Sequence, residues 1–127
     1  MVSYLNEEYK MTGASGRIYT FTMYGFGTFD DLQEAFKDYT HAGLYVFTVR
    51  DYSKSLQKYI HEPIYVGQTS SFQARDYSNH HKRRDIESSG SHSFGLCLTD
   101  HLSDNHRQEM EADILKAYEL RCNDVNN

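Results

Sequence analysis

Two tyrosines, an arginine and a glutamate in this sequence have the types needed to cut a phosphodiester bond with the help of one metal ion. Tyr45 lies in Gly43-Leu44-Tyr45-Val46-Phe47 and Tyr65 in Ile64-Tyr65-Val66-Gly67. A phenol ordinarily titrates at about 10, so it acts as a base only with a cation close by to stabilise its anion. Arg75, ten residues after Tyr65, is the candidate cation. A guanidinium stays charged and its fork can grip two phosphate oxygens. Glu111 precedes Ile114 and Leu115 by three and four residues, at the edge of a helical apolar stripe. A half-buried carboxylate there could hold one hard cation such as Mg²⁺, with water and phosphate completing the octahedron.

Each residue also has a plainer reading. The chain holds 11 tyrosines, and two in strands suit a sheet core. Arg75 could pair with Asp76 or Asp85, and Glu111 with Arg107 four residues earlier. Glu109, the competing carboxylate, should face away from the stripe.

Beside Arg75 runs His80-His81-Lys82-Arg83-Arg84, a local basic patch in a chain of net charge −5 and pI near 5.7. The overall acidity argues against a strong nonspecific nucleic-acid binder, because phosphate contacts dominate that affinity. An enzyme that binds transiently needs only a local patch; a solvated helix end is the alternative. The seven histidines never adopt the tight His/His or Cys/His spacing of a zinc site. His80 and His81 have the chemistry to touch phosphate or move a proton.

These residues need elements to position them. Residues 1 to 15 show no periodicity and read as a loose start. Arg17–Tyr24 alternates as a half-exposed strand, and Thr28 caps a short helix containing Leu32, Ala35, Phe36 and Tyr39. Leu44–Val49 is dense in β-branched and aromatic residues, as a central strand is. Asp51–His61 reads as a polar connection, and Ile64–Val66 as the returning strand after Pro63. Ser70 or Ser71 predicts the cap of a helix reaching His80 or beyond, with Arg75 in its first turns. Glu87–His92 is a loop, Ser93–Thr99 a third core strand, and His106–Leu120 a helix with Met110, Ile114, Ala117 and Tyr118 on one stripe.

At 127 residues the chain fits one domain with a single core. Its 39% apolar and 24% charged residues are an ordinary folded composition. No apolar run approaches the roughly 18 residues of a membrane span, and the acidic start lacks the regions of a signal peptide. Cys97 and Cys122 form no close pair, so a reduced, cytoplasmic protein is the expectation.

Taken in order, Gly43-Leu44-Tyr45, Tyr65-Val66-Gly67, Arg75, Glu111 and Asn123 resemble the motifs of the GIY-YIG nucleases over about two-thirds of the chain. The resemblance implies an α+β fold: a small three-stranded antiparallel sheet flanked by helices, which the N-terminal strand could widen. Residues 1–42 would be an extension packed on the same domain, and 43–127 the nuclease domain. It implies a metal-dependent endonuclease acting on DNA rather than RNA through one Mg²⁺, or Mn²⁺ in its place, held by Glu111. Tyr45 would be the general base, directly or through its neighbour, and Tyr65 would orient the water or bond the phosphate. Arg75 would stabilise developing charge, Asn123 would brace the metal site on the substrate side, and His80 would be a proton donor. Lys82, Arg83 and Arg84 would contact substrate phosphates. Family members often carry histidine four residues after the arginine, where this chain has Asn79 followed by His80, and some carry lysine where it has Gln68. The same fold without catalysis would be a nucleic-acid-binding or adaptor module. No membrane is implied; a homodimer or a targeting partner would have to select the substrate.

Overall fold

The computed structural model describes residues 1–123. Its eight elements are β1 (Val2–Thr12), β2 (Ile18–Phe26), α1 (Phe29–Ala35), β3 (Gly43–Ser53), β4 (Lys58–Thr69), α2 (Arg83–Ser88), β5 (Ser93–Leu98) and α3 (Asp104–Ala117). The five strands make one antiparallel sheet in the order β1-β2-β5-β3-β4.

This corrects the expectation of a small three-stranded sheet. The wider sheet has two causes. β2 pairs directly with β5 (Thr22 opposite Leu96, Tyr24 opposite Phe94), so the N-terminal hairpin continues the sheet instead of packing on it. The residues read as a loose start form most of β1, an edge strand partly buried on only one side. Such a strand needs no strong apolar alternation, and charged residues at Glu7, Glu8 and Lys10 suit an edge. A register shift between Tyr4 and Glu8, with Asn6 at φ 54°, bends it further.

Side chains alternate across β3 and divide the core in two. Tyr45 and Phe47 join Phe26, Phe29, Leu32, Phe36, Phe72, Tyr77 and Phe94 on the face covered by α1. Leu44 and Val46 join Phe21, Met23, Val66, Met110 and Ile114 on the face covered by α3. α1 begins with a complete capping box, Thr28 and Asp31 each bonding the other's backbone N–H. α3 starts two residues earlier than expected, capped by Ser103, and ends at Ala117.

Two further expectations fail for the same reason: long-range partners take the backbone. Asp51–His61 is not a loose connection, because β3 and β4 stay paired out to Ser53 opposite Lys58. The helix predicted from Ser70 to His80 is a series of turns instead. Its N–H groups donate elsewhere, Phe72 to the His41 carbonyl and Gln73 to that of Tyr39, while Phe72 and Tyr77 anchor it in the aromatic core. Only Arg83–Ser88 is helical. No helix among the described residues is long and apolar enough to cross a membrane.

Candidate active site

Tyr45 and Tyr65 sit on adjacent strands, and the glycines of their motifs explain how. Tyr45 lies opposite Gly67 in the β3–β4 ladder. A Cβ on Gly67 would collide with the Tyr45 ring and hydroxyl, so only glycine leaves room for that phenol to lie across β4. At Gly43 a Cβ would run into the Cys97 carbonyl of β5. The two rings stand 6.0 Å apart between centroids, tilted by 33°.

His80 links to this pair. The Lys82 backbone N–H donates to His80 Nδ1 at 3.0 Å, so that nitrogen carries no proton. The proton of the neutral ring is therefore on Nε2, 3.0 Å from the Tyr45 oxygen, and is donated to it. Burial, with Arg75 and His81 adding to it, pushes the His80 pKa down to about 4, which keeps the ring neutral at pH 7. A neutral imidazole is a poor acid. In this arrangement His80 props the phenol oxygen through its Nε2–H.

The phenols differ in access. Tyr45 is completely buried, and burial raises its pKa well above the usual value of 10.0, followed by the Tyr65 charge. It cannot touch a substrate directly. Tyr65 is raised too, first by burial, but the Tyr45 hydroxyl and the Arg75 charge both act to stabilise its anion. With the Tyr45 oxygen accepting from His80, the Tyr45 proton is left for Tyr65. The arrangement is a relay in which Tyr65 is the outer member.

Arg75 comes from the turns after β4, its guanidinium 5.4 Å from the centre of the Tyr45 ring. Neither expected carboxylate holds it: Asp76 accepts from Asn79, and no Asp85 pair forms among the described residues. The loop is held by a residue missed in the sequence, Gln33 of α1. Its Nε2 donates to the Arg75 carbonyl (3.2 Å) and its Oε1 accepts from the backbone N–H of Tyr77 (2.8 Å) and Ser78 (3.4 Å). Asp30, also on α1, accepts from the Ser78 hydroxyl at 2.7 Å. A partly buried glutamine beside Leu32 on a helix was the available signal.

Glu111 is carried by α3, whose apolar stripe covers the opposite face, and it reaches the site at the rim of the sheet. Burial raises its pKa, Arg75 opposes this, and the Glu111 charge bears on Tyr65. The expected alternative partner is taken, since Arg107 is buried against the Leu102 carbonyl and Asp104. No hydrogen bond reaches the Glu111 carboxylate among the described residues. A partly desolvated anion with no donor of its own fits a hard cation bound by one carboxylate, water and substrate oxygens. No group of three or more His, Cys, Asp or Glu converges as a metal site among the described residues.

The basic run divides. Arg83 is engaged by Glu87 (2.6 Å), the Ser78 carbonyl (2.7 Å) and Asp30 (3.4 Å), whereas Arg84 is exposed and makes no ion pair among the described residues. His81 stacks on His80 with centroids 4.8 Å apart, and its ring meets Tyr65 edge-on. An open groove of about 390 Å³ runs past Ser70, Arg75 and Asn79 on one side of these rings. A second of about 550 Å³ passes Arg84 and Ser88 on the other.

Asn123 lies elsewhere than expected. Its amide pairs with both backbone groups of Val66, accepting from the N–H and donating to the carbonyl at 2.9 Å each. It closes the free edge of β4 next to Tyr65. No protein-family model, no curated protein and no solved structure matches the chain.

Proposed function

We propose that the chain is a Mg²⁺-dependent phosphodiesterase that cuts nucleic acid internally, DNA in preference to RNA. The observation that carries this is that Arg75 and the partly buried Glu111, neither of them ion-paired among the described residues, both bear electrostatically on Tyr65, the outer phenol beside a buried Tyr45–His80 hydrogen bond. Tyr65 first gives its own proton to solvent. Its phenolate, stabilised by the Tyr45 hydroxyl and the Arg75 charge, then takes the proton of the attacking water and returns to the neutral phenol, while His80 supports the Tyr45 oxygen. Arg75 stabilises charge growing on the phosphoryl oxygens, a fixed contribution that becomes large where water is excluded. A cation held by Glu111 would supply polarisation of the phosphate and support for the leaving oxygen. Arg83 and Arg84 lie along the groove that leads substrate in.

The test is conversion of supercoiled plasmid to nicked and linear forms in Mg²⁺ or Mn²⁺. Chelator, Arg75→Ala and Glu111→Ala should each stop it while the protein stays folded. Undiminished cutting in any of the three removes the mechanism. The complete burial of Tyr45 and the acidic overall charge favour a second reading, a nucleic-acid-binding or adaptor module that does no chemistry. Binding of DNA with no metal-dependent nicking would establish it.

A further inference from the structure

β5 accompanies β3 only from Gly43 to Thr48. Beyond that point β3 and β4 continue as a two-stranded ribbon, paired from Val49 opposite Glu62 to Ser53 opposite Lys58. Its root is fixed by Glu7 of β1, which accepts from both Arg50 and His61. Its outer part is bare, with Tyr52, Leu56, Tyr59 and Ile60 exposed by 53%, 61%, 46% and 44%. The exposed rings are ordered all the same. The Arg50 guanidinium lies 3.5 Å from the centre of the Tyr59 ring, and Tyr52 meets Tyr59 edge-on at 5.2 Å. Residues 50–60 hold three cations, Arg50, Lys54 and Lys58, against Asp51 alone, in a chain of net charge −5. Lys54 and Lys58 make no ion pair among the described residues.

We propose that this ribbon is a second nucleic-acid contact, gripping duplex at a distance from the bond that is cut. The inference rests on the nuclease reading for its ligand. The outer part of the ribbon, residues 52–60, carries two lysines and no acid, as contact with a polyanion requires. The major groove of B-form DNA, about 12 Å wide, admits a two-stranded β-ribbon. Lys54 and Lys58 meet phosphates, and the ordered tyrosine rings lie against sugars and apolar base edges such as the thymine methyl. From Tyr45 to Ser53 is eight residues of strand, about 26 Å at roughly 3.3 Å per residue. That span equals about eight base pairs at roughly 3.4 Å each, so the ribbon is reached only by substrates extending that far past the cut.

The experiment measures binding of a 30-base-pair duplex by fluorescence anisotropy across a salt series, in a Glu111→Gln background that cannot cut. Lys54→Ala with Lys58→Ala should weaken binding about tenfold and lower the slope of log affinity against log salt by about 2. Tyr52→Ser with Tyr59→Ser should weaken binding with little change in slope. Neither pair should alter binding of an 8-base-pair duplex. Unchanged affinity and slope for the long duplex overturn the proposal, as does a parent protein that binds no duplex. So does a ribbon variant that loses only self-association in sedimentation, since the surface would then cover a second copy. A parent that binds but never cuts defeats the nuclease reading and leaves the ribbon standing.

Discussion

The two faces of the sheet each hold a polar cluster built from the same residue types. On the α3 face, Glu7 accepts from Arg50 Nε (3.0 and 3.1 Å) and from His61 Nε2 (2.7 Å); His61 Nδ1 meets the Thr48 hydroxyl at 2.8 Å, and Thr48 meets Ser93 at 2.5 Å. On the α1 face, Tyr45 meets His80 at 3.0 Å, with Arg75 and Glu111 nearby. Glutamate, histidine and hydroxyl in a row look like a nucleophilic triad, but Thr48 and Ser93 are fully buried and no substrate could reach them. Every charge there has its partner, and Arg50 pulls the Glu7 carboxyl below its ordinary pKa. Across the sheet, burial lifts the Glu111 carboxyl because nothing described offers it a donor. Residue type does not separate a brace from a reactive site; satisfaction of the charges and access to them do.

The contrast can be broken most forcefully at the open cluster. Arg75→Ala or Glu111→Gln should cut nicking by at least about 100-fold, the scale of one lost preorganised charge, with the melting temperature unchanged or slightly raised. Mg²⁺ should raise the melting temperature of the parent and not of Glu111→Gln, because a ligand stabilises only the state that binds it. Equal thermal shifts in the two proteins would place the metal elsewhere.

Gln33→Ala tests whether the α1 clamp is part of the site. It should lower kcat by roughly tenfold with KM nearly unchanged, since misplacement of the Arg75 loop costs rate. Gln33→Glu, which keeps the acceptor for the Tyr77 and Ser78 N–H groups, should recover part of the loss. A fall in stability with unchanged kcat would reduce Gln33 to a structural prop.

At the closed cluster the effects should reverse. Thr48→Val leaves the Ser93 hydroxyl and His61 Nδ1 short of a partner and should cost about 1–3 kcal/mol of unfolding free energy, read from urea denaturation. The folded fraction should nick DNA at the parental rate. A strong loss of activity per folded molecule would mean that the two faces are coupled.

The smallest effects come from pH, and their signs differ by residue. The depressed His80 pKa means the unfolded chain takes up a proton that the folded one refuses, so stability falls as pH drops from 6.5 toward about 4. His80→Gln should flatten that decline. Glu7, also depressed, adds a loss below its ordinary value of 4.5 as its carboxylate is protonated. Glu111 opposes both: raised in the folded state, it favours folding as pH falls, and Glu111→Gln should remove that gain. Melting temperatures between pH 7 and pH 4 for the parent and these two variants check the signs.

Much of the site was legible because it is local. Leu44–Val49, Ile64–Val66 and the core of β5 announce buried strands by composition, and the motif glycines sit where a ring or a carbonyl crowds the backbone. β1 was missed because an edge strand carries little periodic signal. The helix expected around Arg75 does not form because Gln33, Tyr39 and His41 claim that segment's N–H groups from far along the chain.

Taken alone, the sequence settled the inventory of groups and the alternation that sends Tyr45 to one face and Leu44 to the other, since side-chain chemistry and strand period are properties of neighbouring residues. Only the tertiary structure decided which groups are spent. Glu7 and His61 are 54 residues apart and close on each other, while Gln33 reaches 42 residues to the Arg75 loop. Solvation and partner satisfaction depend on contacts between distant segments, and those contacts bury Tyr45, assign the His80 proton and leave Arg75 and Glu111 without an ion pair among the described residues.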